Sequence, residues 1–136
     1  PNHFHFLLKP QRENAISHFI RNVQNSYSKY FNTKYERSGA LFQAMFKAVR
    51  IESDEQLMHV SRYIHLNPVT SYITEIDRIH DYPWSSYHEY FSNENDLSNP
   101  QPVLQLFRSK ETYKQFIVDQ SDYQRTLDRI RHLILE

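Results

Sequence analysis

Pro1-Asn2-His3-Phe4-His5-Phe6-Leu7-Leu8 opens the chain, and its reading decides the fold. Within it Phe4-His5-Phe6-Leu7-Leu8 is aromatic and aliphatic apart from one histidine, a composition that reads as a β-strand. Side chains alternate faces along a strand, so His3 and His5 project from one face, about 7 Å apart, and Phe4 and Phe6 pack on the other. Two imidazoles so placed can chelate one metal ion. The ordinary alternative is a pair of histidines on the wet side of a half-buried strand. The rest of the chain bears on which reading holds.

The strand is expected over residues 3–9 and ends at Lys9-Pro10. A helix follows from about Asn14 to Asn32, where Ile16, Phe19, Ile20, Val23, Tyr27, Tyr30 and Phe31 recur at helical spacing. Residues 33–39 form a basic, turn-prone link holding the only glycine, Gly39, where positive φ is cheapest. A second strand is expected around 45–51, although Gln43, Ala44 and Met45 are also good helix formers. Ser53-Asp54-Glu55-Gln56 is a capping box that starts a second helix, with Asp54 and Glu55 at its positive end. Leu57, Val60, Ser61 and Ile64 give its core stripe, and Pro68 sets its expected end near Leu66. Beyond it lie a polar connector over 72–81, a short aromatic helix from Tyr82 to about Phe91, and a loop over 92–102. Three short helices are expected at 103–107, 110–118 and 120–135.

At 136 residues the chain is long enough for one real core, and its ten Tyr and nine Phe supply large buried area. With no Cys, neither a disulfide nor a thiolate metal site is possible, which fits a reducing cytosol. No apolar run approaches the roughly 20 residues of a membrane span, and no signal peptide is evident. Net charge is zero but unevenly spread. Lys and Arg against Asp and Glu number 8 and 2 in residues 1–50, 2 and 9 in 51–100, and 6 and 5 in 101–136. The basic N-terminal part is compatible with a polyanion partner, or simply with an ordinary protein dipole.

On the second helix Tyr63 and Asn67 stand four apart and share a face if the last turn stays helical. Tyr63 falls at the border of the core stripe, where a ring can pack while its hydroxyl is exposed. A tyrosine hydroxyl is a weak nucleophile at its unperturbed pKa near 10 and needs a base, a cation or an electrophile already polarised by a metal. A phosphodiester bound to a divalent ion is such an electrophile. Two neutral imidazoles and an amide oxygen add no ligand charge to offset the ion. That is the physical case for grouping His3, His5, Asn67 and Tyr63, provided strand and helix are adjacent.

The strand motif Pro1–Leu8 resembles the His-hydrophobic-His (HUH) motif of the single-tyrosine transposases of bacterial insertion sequences, as does Ser61-Arg62-Tyr63-Ile64-His65-Leu66-Asn67-Pro68-Val69. Ser38-Gly39-Ala40-Leu41-Phe42-Gln43 with Phe46-Lys47, and Asp81-Tyr82-Pro83-Trp84-Ser85-Ser86-Tyr87, resemble the REP-associated branch of that superfamily. The resemblance covers most of residues 1–91 and extends more weakly to Val103–Phe107.

The resemblance implies an α+β fold, a ferredoxin-like antiparallel sheet packed by helices. Only part of that sheet would be encoded here, because the family places a strand, a helix and another strand before the His-x-His strand. A catalytic domain over 1–91 and a helical extension over 92–136 are expected. The implied activity is cutting and rejoining single-stranded or hairpin DNA at REP-like elements. Tyr63 would be the nucleophile, giving a 5′-phosphotyrosyl link and a free 3′-OH. His3 and His5 match the metal-binding pair and Asn67 the polar ligand, with Mg²⁺ or Mn²⁺ as the ion. His65 lies outside this group and is open as a phosphate or base contact. Lys9, Arg12, Arg21, Lys29, Lys34, Arg37, Lys47 and Arg50 are the expected DNA contacts. A monomer or homodimer in the cytoplasm, near the nucleoid, is expected, with no membrane partner. Two other readings stand beside this one: a non-catalytic DNA-hairpin-binding relative, and a metal-dependent phosphodiesterase without a covalent intermediate.

Overall fold

A computed structural model describes residues 3–43, 45–93 and 97–119. The chain divides into two compact units, Phe6–Arg50 and the stretch from Ile51 onward joined by the N-terminal residues up to His5.

The first unit is built on helix α1, Ala15–Lys34. Its apolar stripe buries Ile20, while Phe19, Tyr27 and Tyr30 stay exposed. Phe6 meets Phe19 edge-on, with ring centroids 5.5 Å apart. Glu36 takes a left-handed φ of 50° just past the end of the helix. The N–H of Arg37 donates to Asn32 O and that of Glu36 to Thr33 O, a Schellman stop made without glycine. The glycine itself sits three residues on, at φ 95°. There Asn32 Nδ2 donates to Gly39 O at 3.0 Å, and Arg37 donates to Asn32 Oδ1 at 3.0 Å and to Ala40 O at 3.4 Å.

In the second unit α2, Asp54–Thr70, is the central element. Ser53 Oγ accepts the N–H of Gln56 at 3.1 Å, and Gln56 Oε1 accepts the N–H of Glu52, one residue before the cap, at 2.8 Å, so both side chains satisfy backbone N–H groups at the helix start. The helix does not stop near Leu66. It passes through Pro68 to Thr70, because Leu66, Pro68, Val69 and Thr70 are all buried and that burial outweighs the hydrogen bond proline forfeits. Tyr72, at φ 56°, closes it with a second Schellman stop, Ile73 N–H to Pro68 O and Tyr72 N–H to Val69 O.

Against α2 pack a 3₁₀ segment Ile76–Asp81, the short helix α3, Gln101–Leu104, and helix α4, Lys110–Val118. A second 3₁₀ segment, Tyr87–Tyr90, packs on the first and stands where a short aromatic helix was expected. The core is Leu66, Val69, Ile79, Tyr87, Tyr90, Val103, Tyr113 and Ile117. Helix α4 coincides with the expected 110–118 element and is capped by Ser109 Oγ on the N–H of Thr112. The helix expected at 103–107 forms earlier, as α3. The one expected at 120–135 lies outside the described residues.

The ferredoxin-like antiparallel sheet is not present: among the described residues there is no strand. Residues 3–10 and 45–51 have irregular backbone, and the expected strands at 3–9 and 45–51 are corrected accordingly. A strand exists only through a ladder that satisfies its N–H and C=O groups, and two short segments are marginal as a lone pair in water. The two belong almost wholly to Phe6–Arg50, a unit in which Ile20 is the one buried apolar residue among those described, so no sheet has an apolar face to form on. Phe4 and Phe6, expected to be packed, are 40% and 46% exposed. No helix among the described residues is long and apolar enough to cross a membrane.

Candidate active site

His3 and His5 lie in the same compact unit as α2. Their ring centroids are 5.0 Å apart and the rings nearly perpendicular, at 87°. The ring of Tyr63 meets that of His5 edge-on, with centroids 5.4 Å apart and planes at 76°. His3, His5 and Tyr63 are thus brought together without the strand that was expected to present the histidines. Asn67 stands one turn beyond Tyr63 on α2, and the helix remains helical through it, so the two share a face. Both are half-buried, while His3 and His5 are exposed.

Partial desolvation, and then the neighbouring His3, lower the pKa of His5 from the usual histidine value. A neutral imidazole at neutral pH keeps its lone pair for a metal. The spacing also suits a shared ion. A nitrogen ligand at about 2.1 Å puts its ring centroid roughly 3.3 Å from the metal, so two ligands at right angles have centroids about 4.6 Å apart. Among the described residues no group of three or more His, Cys, Asp or Glu gathers at one place. Two imidazoles and an amide oxygen, the donor set expected from the sequence, are of a kind that a divalent ion with open positions accepts. Imidazole donors favour Mn²⁺ over Mg²⁺, which prefers oxygen.

His65 turns away from this face. It is 2% exposed and held by both ring nitrogens, Nδ1 2.8 Å from Tyr113 Oη and Nε2 3.1 Å from Ser86 Oγ. Tyr113 Oη donates to Ser61 Oγ at 3.3 Å, and Ser61 Oγ donates to Met58 O at 2.8 Å. With Tyr113 donating to Ser61, Nδ1–H donates to Tyr113 Oη, and a neutral ring accepts the Ser86 hydroxyl at Nε2. Burial lowers its pKa to about 4. Tyr90 adds an edge-on ring at 4.5 Å. A phosphate or base contact by His65 is excluded by this burial.

The sequence did not reveal Tyr113, Ser86 or Phe116 as neighbours of the motif helix. Their partners lie 21 to 54 positions away, and no periodicity links residues so far apart. Arg62, beside Tyr63, lies over the Phe116 ring at 4.2 Å and is hydrogen-bonded to His59 Nδ1 at 2.8 Å. Its pKa is lowered by partial burial.

The eight cations expected on DNA all lie in or border the Phe6–Arg50 unit, and all are exposed. None is paired with a carboxylate among the described residues. Three are engaged locally, Arg21 with His18 Nδ1 at 3.0 Å among them. Arg37 fixes the Gly39 turn and stacks over Phe31, while Lys34 is 3.1 Å from Tyr30 Oη.

Residues 1–67 match a family model described as "Transposase IS200 like", a range that contains His3, His5 and Tyr63 and ends on Asn67. No curated protein and no solved structure matches the chain significantly.

Proposed function

Residues 1–67 belong to the IS200-like transposase family, and on that premise we propose that this chain cuts and rejoins single-stranded DNA beside a hairpin, through Tyr63. Family membership implies a DNA partner and transposition chemistry. The finer reading is supported above all by the contact between the His5 and Tyr63 rings, 5.4 Å apart, which gathers two widely separated motifs.

In this reading the Tyr63 hydroxyl loses its proton and its oxygen attacks the scissile phosphorus. The P–O3′ bond breaks, the 3′ oxygen leaves and takes up a proton, and the 5′ phosphate remains on the tyrosine. A 3′-OH attacking that phosphotyrosine reverses the step on a new partner, so no external energy source is needed. His3, His5 and Asn67 would hold Mn²⁺ or Mg²⁺, which when bound supplies Lewis-acid polarisation of the phosphate. Tyr63 is oriented by its packing on His5, and Asn67 by its place one turn on. The exposed cations of Phe6–Arg50 bind the sugar-phosphate backbone.

The test is incubation with a hairpin-flanked single strand and Mn²⁺, read on a denaturing gel. A protein–DNA adduct that disappears in Tyr63→Phe supports this reading. DNA that is bound but uncut points to a non-catalytic hairpin-binding relative. Cleavage surviving Tyr63→Phe points to a phosphodiesterase without a covalent intermediate.

A further inference from the structure

We propose that Tyr113 is a positioning residue for the Tyr63–Asn67 turn of α2, acting from outside the segment that carries the family match. The inference rests on the reading of Tyr63 as nucleophile. Its physical content concerns α2 alone.

The Tyr113 hydroxyl touches two points of α2 about one turn apart, Ser61 Oγ at 3.3 Å and His65 Nδ1 at 2.8 Å. That turn brackets Tyr63. His65 lies about 200° around the helix from Tyr63, so the hold is on the back of the catalytic face. A two-point hold across one turn fixes both the rotation and the axial position of the backbone between its ends. Tyr113 is itself immobilised, with no exposed surface, stacked on Tyr90 at 5.2 Å and edge-on to Phe107 at 5.0 Å. Every polar atom of the network is satisfied, the condition under which a buried network rigidifies its surroundings.

A second observation shows why this turn needs such a hold. Pro68 sits inside α2 and has no N–H to give to the carbonyl of Ile64, next to Tyr63. The helix therefore lacks one of its own bonds in the turn that must align the Tyr63 hydroxyl with the Asn67 amide. Small misplacements of reacting groups cost rate steeply, about a hundredfold for 1 Å. A hydroxyl supplied by α4 replaces from outside the constraint that proline removes.

Tyr113→Phe keeps the buried ring and deletes only the hydroxyl. Two readouts are taken on the full chain at a temperature where circular dichroism shows parent and variant equally folded. The first is amide hydrogen exchange along α2. Exchange at residues 63–67 is expected to rise about tenfold with residues 57–60 unchanged. Unchanged exchange, or a uniform rise along the helix, overturns the proposal. The second is single-turnover adduct formation at saturating hairpin DNA. The rate is expected to fall about tenfold with DNA affinity unchanged, and an equal loss of affinity and rate, or no loss of rate, overturns it. Tyr63→Phe run in parallel separates the two ideas. An adduct that persists there defeats the nucleophile assignment, while the exchange pattern still decides whether Tyr113 holds the turn.

Discussion

Burial between Tyr113 and Ser86 keeps His65 neutral, with its pKa lowered to about 4. In the unfolded chain the same imidazole titrates near 6.5. Between those values the unfolded state binds a proton that the folded state refuses, so stability falls as pH drops from about 6.5 toward 4 and then levels off. Integrated over that window the loss is roughly 3 kcal/mol. Urea unfolding at pH 7 and pH 4.5 should show it, and His65→Gln should remove that part of the slope. For the two N-terminal histidines we propose a different role, as metal ligands. His3→Ala or His5→Ala is expected to abolish cleavage while leaving hairpin affinity within about twofold, because the ligands would act on the phosphate and the exposed cations hold the DNA. Gel-shift and cleavage assays on the same preparations check this, and parallel loss of both would count against metal ligation. The sequence grouped His3, His5 and Tyr63, and the three do come together. It left His65 open as a phosphate or base contact and did not show its burial, because a histidine looks the same on paper whether a buried tyrosine meets it or not.

The helices were legible because their signals are local. The stripe of α1, the Ser53 capping box and the short helix over 110–118 each depend on residues within a turn or two. The sheet was not, because a strand is defined by a partner, and apolar composition alone does not supply one. Pro68 misled for a related reason. Proline at that position disfavours a helix locally, but burial of Leu66, Val69 and Thr70 decides the outcome. Helix ends carry testable energy. Ser53→Ala should cost about 1 kcal/mol, since the N–H of Gln56 loses its acceptor. Glu36→Gly should instead stabilise α1 by about 0.5 kcal/mol, since a left-handed φ of 50° strains any residue with a Cβ. Thermal unfolding followed by helical ellipticity measures both, and a destabilised Glu36→Gly would contradict the Schellman stop.

On the scale of the whole molecule, chemistry and charge are divided between the units. Residues 51 onward with the N-terminal histidines hold the candidate active site, and Phe6–Arg50 holds a net positive excess, eight Lys and Arg against two Glu. The sequence already showed the charge division, because counting needs no structure, although it did not show that Arg37 is committed to a turn. If the cations meet phosphates, the logarithm of DNA affinity falls linearly with that of salt, by about 0.7 per contact on a single strand. Lys29→Ala with Lys34→Ala should therefore flatten the slope by about 1.4. A slope unchanged in the double variant would remove these residues from the interface. The account depends most on Tyr63, and one measurement reaches it directly. After reaction with a hairpin-flanked strand and Mn²⁺, the covalent complex is digested with nuclease and trypsin. The peptide following Arg62 contains both Tyr63 and Tyr72, so fragmentation in a mass spectrometer distinguishes them. The account predicts a nucleotide phosphate on Tyr63. A phosphate on Tyr72, or cleaved DNA with neither tyrosine modified, would contradict it.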